Sequence, residues 1–378
     1  MNSRARTGRA LLTAVIVALA VGTSGVASAG TRAGQPVGGP LLGTQGVVIR
    51  GTGATTRLPR LTAASFLLAD LTTGDVLAAK NPHGRLRPAS TQKILTAITV
   101  LPRLDPDTVY RAQWADAKAV GSRVGIVPDA TYTVRNLFEG MFLMSGNDAA
   151  RALAEAAGGV HRTVAAMNLE AQELEAMDTH VVNPSGLDAK GQVSSAYDLA
   201  LFARAGLARK DFRTYVTTVH STFPGKMPRR HHRRKTFQIW TQDRLLLNYR
   251  GAFGVKTGWT TKAQGTFVGV ARRHGHVLLA TVMHTTASSW EEDAALLDWG
   301  FRNVDTLTPV GTLDRQPAPQ AAPIRHTHEA ERVVTAAASG ATGHGVPWWL
   351  WPPLALAAVV AVLRARVVLL RRRRRFSY

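Results

Sequence analysis

Apolar runs of strand length stand at both ends of a central body, and helical periodicity fills the chain between them. Ala64 to Leu71 is a mostly apolar run bounded by turn signals, which predicts a buried strand. Thr72-Thr73-Gly74-Asp75 turns the chain, and Val76 to Lys80 returns as its antiparallel partner. Three further strands are predicted at Ala252 to Thr257, Gly265 to Ala271 and His276 to Met283. From Ser90 the spacing of Ile94, Leu95, Ile98 and Leu101 is helical. Ala149 to Ala157 predicts a helix stopped by Gly158-Gly159, and His161 to Met177 and Ser194 to Leu207 predict two more. Ala287 to Phe301 closes the body as an amphipathic helix carrying Leu296, Leu297 and Trp299. Strands contributed by both ends of a body can share one sheet most simply if that sheet is antiparallel. The expected class is therefore α/β of the α+β type, an antiparallel sheet backed by helices with a helical insertion in its middle.

The flanks differ in kind. Three arginines (Arg4, Arg6 and Arg9) precede the apolar run Ala10 to Val21, which is too short to span a bilayer, and Ala27-Ser28-Ala29 fits an A-x-A cleavage site. Residues 1–29 thus read as a signal peptide, and the Gly- and Thr-rich residues 30–57 as a flexible segment. After the body, expected over 58–304, residues 305–345 are rich in Pro and Ala and read as a disordered stalk. Residues 346–363 carry no charge and make a helix of about 27 Å, with Trp348, Trp349 and Trp351 at its start. Seven arginines crowd its exit within the basic tail 364–378, which places that tail in the cytoplasm and the body outside. The expectation is a single-pass cell-membrane protein, exported by its signal peptide and tethered by a C-terminal transmembrane helix. Net charge is +21, and +11 remains once the ten terminal arginines are set aside. That excess suits an anionic wall or membrane surface, and the position of the arginine tail beside a span makes topology a cheaper explanation than nucleic acid, for which no partner role is expected.

There is no cysteine, so thiolate nucleophiles, disulfides and Cys-based zinc sites are excluded. What the body does contain is Ser90-Thr91-Gln92-Lys93, Ser145-Gly146-Asn147 and Lys256-Thr257-Gly258, in that order. A serine hydroxyl is a poor nucleophile at neutral pH without a nearby base and a trap for the tetrahedral oxyanion. Residues three apart on a helix share a face, so Lys93 can reach Ser90, and the helix start offers free backbone N–H groups. Lysine serves as a base only if its pKa falls, and both burial and a second cation, here Lys256, depress it. Ser145 offers a hydroxyl to relay a proton, and Asn147 an amide to hold the substrate backbone. Lys256 and Thr257, expected at a strand end, suit a terminal carboxylate. Gly258 leaves room for close backbone approach, and the Trp259 N–H can face the oxyanion. Each motif alone is common; Ser90 by itself reads as a helix cap and Lys256 as a surface lysine. Their order, each at an element boundary, is what points to a site.

With these motifs the chain resembles the penicillin-binding, serine-type D-alanyl-D-alanine carboxypeptidases over about residues 60–303. Further matching stretches are Phe66-Leu67-Leu68-Ala69-Asp70, Arg87-Pro88-Ala89-Ser90, Asn183-Pro184-Ser185-Gly186-Leu187-Asp188, Ser195-Ala196-Tyr197-Asp198 and Leu297-Asp298-Trp299-Gly300-Phe301. The resemblance implies a β-lactamase/transpeptidase-like fold. It implies that Ser90 is acylated by a peptidoglycan stem peptide ending in D-Ala-D-Ala, that Lys93 is the base, and that Lys256 and Thr257 grip the carboxylate. It implies β-lactam antibiotics as covalent inhibitors, and no metal or cofactor. Two departures stand out. Trp240-Thr241-Gln242-Asp243-Arg244-Leu245-Leu246 puts Asp243 where the family usually has an amide, and Ser288-Ser289-Trp290-Glu291 stands where some members carry a carboxylate-binding arginine. Competing readings are a β-lactamase, against which the missing Glu-x-x-x-Asn signature counts, an endopeptidase on the same fold, and a catalytically dead wall-binding protein, against which the intact motifs count.

Overall fold

The structure, a computed structural model, describes residues 36–52, 57–228 and 233–313. Its centre is a seven-stranded antiparallel sheet. The strands are β1 (Val47–Ile49), β2 (Ser65–Asp70), β3 (Asp75–Lys80), β8 (Ala252–Thr260), β9 (Gln264–Arg273), β10 (His276–Thr285) and β11 (Gly311–Thr312). They run in the order β1-β3-β2-β10-β9-β8, with β11 on β3 beside β1. Two hairpins lie apart from it: β4 (Val109–Arg111) with β5 (Thr131–Thr133), and β6 (His220–Pro224) with β7 (Thr236–Trp240).

Both faces of the sheet are covered, which is why β2 reads as a continuous apolar run rather than an alternation. Leu67 and Ala69 face the larger core, with Ile94, Ile98, Tyr197, Phe202, Val268 and Leu279. Phe66 and Leu68 face the smaller one, with Phe267, Val282, Leu297 and Trp299. The larger core is built by α1 (Lys93–Val100), α3 (Val134–Leu143), α4 (Asn147–Ala156), α5 (Val160–Glu173), α6 (Ala196–Ala208) and α7 (Lys210–Thr217), with the short α2 (Trp114–Ala117) beside α4. The smaller is built by α9 (Ser289–Asn303), with α8 (Arg244–Asn248) against it. The expected class, an antiparallel sheet backed by helices with a helical subdomain, is the observed one.

Two expected boundaries move. The segment expected to be flexible over 30–57 contains a 3₁₀ turn at Pro40–Gly43 that buries Leu42, and then β1, which pairs Val48 with Ala79. The β-branched triplet Val47-Val48-Ile49 satisfies the outer edge of β3, and it is too short to stand out among glycines and threonines. The expected stalk over 305–345 likewise begins too early. Leu307, Val310 and Leu313 are buried, and β11 pairs Gly311 with Val76. One apolar residue in three is enough to seal a sheet edge, though it leaves no periodicity to read. The predicted signal peptide, transmembrane helix and basic tail lie outside the described residues. Among the described residues no helix is long and apolar enough to cross a membrane.

Candidate active site

The nucleophile segment is held from three sides. Ser90 sits in a 3₁₀ turn, Ala89–Gln92, that leads directly into α1, so Lys93 is the first α-helical residue. Ala89 is held at φ 48°, an uncommon conformation for a residue with a side chain. From one side, Thr266 of β9 donates its hydroxyl to the Pro88 carbonyl at 3.0 Å. From a second, Gly258 of β8 lies so close that a Cβ there would stand 2.7 Å from the Ser90 nitrogen. From a third, Gly186 crosses so tightly that its Cβ would stand 1.7 Å from the Ala89 carbonyl oxygen. Both contacts require a residue without a side chain.

Lys93 is completely buried, and its Nζ has three neighbours. It lies 2.9 Å from Ser90 Oγ, 2.7 Å from Asn147 Oδ1 and 2.7 Å from the Ser185 carbonyl oxygen. Burial drives its pKa well below the usual lysine range, and the nearby Lys256 charge pushes the same way, against a smaller opposing pull from Asp148. A neutral amine has two hydrogens and one lone pair. Asn147 and Ser185 accept the two hydrogens, which leaves the lone pair for the Ser90 hydroxyl proton.

Asn147 is the first residue of α4, and its amide is oriented by its surroundings. Its Nδ2 donates to the Val120 carbonyl at 2.6 Å and its backbone N–H to the Ser122 carbonyl at 2.8 Å. Asp148 holds that same loop by accepting the N–H groups of Val124, Gly125 and Ile126. The Asn147 Oδ1 is on Lys93 and its Nδ2 on a main-chain carbonyl, so the amide orients the base. Ser145 is buried in the turn between α3 and α4 with φ 54°, beside Asn147 in sequence. No hydrogen bond ties it to Ser90 or Lys93 among the described residues.

Lys256 and Thr257 are expected at a strand end, with Gly258 and Trp259 just beyond it. They lie within β8, which continues to Thr260, because the pairing with β9 runs on through Gly258–Thr266 and Trp259–Gly265. Lys256 is 2 % exposed and donates to the Thr257 carbonyl at 2.8 Å. Burial lowers its pKa to about 8, partly opposed by Asp243. Thr257 is half-buried, and Trp259 is 66 % exposed at the rim. The structure thus joins Ser90, Lys93 and Asn147 directly, abuts them with Gly258, and couples Lys256 to Lys93 by charge.

One group was missed as a contributor: the Ser185 carbonyl. It is presented by a turn around Asn183, whose Oδ1 accepts from the backbone N–H groups of Ser185, Gly186 and Leu187 and from the Ser185 hydroxyl. The Asn-Pro-Ser-Gly run signals a turn. Nothing in it says that the turn ends on a lysine 92 residues earlier in the chain.

Comparison with known proteins agrees with this geometry. Residues 52–287 match the family model described as D-alanyl-D-alanine carboxypeptidase. The chain is 38 % identical to the D-alanyl-D-alanine carboxypeptidase DacB2 of Mycobacterium tuberculosis, over 68 % of this chain and 88 % of that protein. It is 32 % identical to DacF of Bacillus subtilis, over 65 % of this chain and 63 % of that protein. Among solved structures, a D-alanyl-D-alanine carboxypeptidase from M. tuberculosis H37Rv superposes with a TM-score of 0.65 at 37 % identity, covering 70 % of this chain and all of that one. The Streptomyces K15 DD-transpeptidase superposes at 0.63 and 28 % identity, covering 65 % of this chain and all of that one. A buried lysine on a serine, flanked by the strand that carries Lys-Thr-Gly, therefore stands in a chain that belongs to the D-alanyl-D-alanine carboxypeptidase family.

Proposed function

We propose that the protein removes the terminal D-alanine from peptidoglycan stem peptides on the outer side of the cell membrane, through an ester on Ser90. The observation that carries this reading is the 2.9 Å contact between Ser90 Oγ and a lysine whose pKa burial drives well below the usual range. Lys93 Nζ takes the Ser90 hydroxyl proton as Oγ attacks the carbonyl of the penultimate residue. The backbone N–H groups of Ser90 and Trp259 stabilise the oxyanion. Collapse breaks the C–N bond, and the proton passes to the leaving D-alanine amine from Lys93 by way of Ser145. Water, deprotonated by Lys93, then attacks the ester, and Ser90 recovers its proton. Lys256 and Thr257 hold the terminal carboxylate by charge and hydrogen bond. β-Lactams present a carbonyl and a carboxylate to the same groups and leave a slow ester. The uncharged stretch 346–363 and the arginines after it support a tether to the membrane, with the signal sequence accounting for export.

The test is labelling of the protein with fluorescent penicillin, beside Ser90→Ala, together with D-alanine release from a pentapeptide ending in D-Ala-D-Ala. Labelling and release by the wild type, and neither by Ser90→Ala, are expected. An unlabelled wild type would remove the acyl-enzyme reading altogether.

A further inference from the structure

Asp243 is the residue at which this sequence departs from the amide of the resemblance, and its surroundings give it a task. It caps α8, with Oδ1 accepting the Leu246 N–H at 3.0 Å, a role that an asparagine fills equally well. The second oxygen is what an amide would change. Oδ2 is buried and has no hydrogen-bond partner among the described residues, and the whole residue is only 6 % exposed. A buried carboxylate oxygen left without compensation is costly, so a cation is expected to face it.

That cation is Lys256. Asp243 and Lys256 wall one small cavity together with Thr218, Thr241 and Thr257. The space is about 10 Å³, which is room for a single water between the two charged groups. Lys256 gives one N–H to the Thr257 carbonyl. An ammonium has three, so two remain for the cavity and the substrate. The other titratable groups facing this pair are Lys93 on α1, whose pKa burial drives down, and Asp293 on α9. Asp293 is packed against Gly269 of β9, where a Cβ would stand 2.0 Å from its Oδ2. Neither of its oxygens has a hydrogen-bond partner among the described residues, and burial and the Asp243 charge both push its carboxyl well above the usual range, which favours the protonated form. Burial pushes the Asp243 carboxyl up as well, but the Leu246 and Leu245 N–H groups and the Lys256 charge pull against that rise, whereas nothing of the kind opposes it at Asp293. With the helix cap on one oxygen and Lys256 on the wall of the same cavity, Asp243 is the better placed of the two acids to carry the charge.

We propose that Asp243 is a positioning residue for the reaction: it holds Lys256 as an ammonium in the buried wall of the cleft, so that a fixed positive charge meets the substrate's terminal carboxylate. This rests on the assignment of Lys256 to that carboxylate. A lysine with no counter-charge in so buried a place would lose its proton near neutrality and offer the substrate only a neutral amine.

The test compares the full-length wild type with Asp243→Asn and Asp243→Ser, both of which keep a capping side chain and remove the charge. The rate of Ser90 acylation by benzylpenicillin is followed from pH 6 to 9.5, and Lys256 is titrated in parallel by NMR with labelled lysine. The wild-type to variant rate ratio is expected to grow about sixfold between pH 6.5 and 8.5, the mark of an alkaline limb moved down by about one unit from about pH 8. The Lys256 titration should move down with it. A ratio that stays flat with pH, as a merely structural loss would give, or a Lys256 titration unchanged in both variants, overturns the proposal. The NMR titration uses no substrate, so it decides the role of Asp243 even if D-alanine release is never observed.

Discussion

Two lysines are buried in one cleft, yet their surroundings prepare them for opposite work. Lys93 meets an amide oxygen, a carbonyl oxygen and a hydroxyl, all within hydrogen-bond distance, and the charge that bears most on it is another cation. Lys256 has a single carbonyl contact and an aspartate across a small cavity. Burial alone would neutralise both. Neutral acceptors satisfy an amine without requiring it to be charged, whereas a carboxylate rewards the charged form. The difference between base and electrostatic anchor therefore lies in what surrounds each nitrogen, not in the residue type. Each lysine also helps define the other, because a charged Lys256 pushes the proton off Lys93.

The comparison breaks most visibly at Lys93. Lys93→Met keeps the volume and removes the lone pair, and the rate of penicillin acylation should fall by about 10²- to 10⁴-fold, the usual span for a lost general base. Mass spectrometry of the acyl-enzyme over time reads this directly, and near-wild-type acylation would show that another group deprotonates Ser90. Lys256→Met should cost less, roughly ten- to hundredfold in kcat/KM, as one charge-assisted contact to the carboxylate is lost. In the wild type the signs of the two limbs are opposite. Activity rises with pH as Lys93 gives up its proton and falls as Lys256 loses its own near pH 8. In Lys256→Met the alkaline fall should vanish while the acid limb moves to higher pH, because the cation that depresses Lys93 is gone. The smallest effect is expected at Asn183→Ala, which removes the acceptor that shapes the Ser185 turn. Thermal denaturation should show a loss of about 1–3 kcal/mol and kcat a severalfold drop, with KM little changed. An unchanged kcat would mean that the Ser185 carbonyl does not help orient Lys93.

Much of this arrangement was legible before any coordinates. The strands at both ends of the body, the helix stopped at Gly158-Gly159 and the Ser90 and Ser145 motifs fall where their periodicity and spacing indicate, while the Lys256 motif lies inside β8 rather than at its end. The site residues most dependent on chain-distant contacts were not legible. Asn147 has the chemistry to bind a peptide, and only the fold shows its amide already committed to Lys93 and Val120. Gly186 looks like any turn glycine until Ala89 is seen beneath it. Helix α3 and the β6–β7 hairpin also escaped. Val134–Leu143 interrupts its apolar residues with Arg135, Asn136, Glu139 and Gly140, and in the hairpin Ile239 and Phe223 are buried among exposed neighbours. The two misplaced boundaries share a cause: β1 and β11 are three and two residues long, and a strand that short is stable only because β3 waits for it.

Those two short strands have a mechanical meaning. Both hydrogen-bond to β3, so the N-terminal lead-in and Leu313 meet on the same border of the sheet. Ser90 and its partners gather at the opposite border, against β8. Five strand spacings, about 24 Å, separate the two. The chain leaves the sheet at Leu313 fastened to β3 by its ladder and to α6 by Tyr197 and Arg204, so its exit and the Ser90 hydroxyl occupy different edges of one rigid layer.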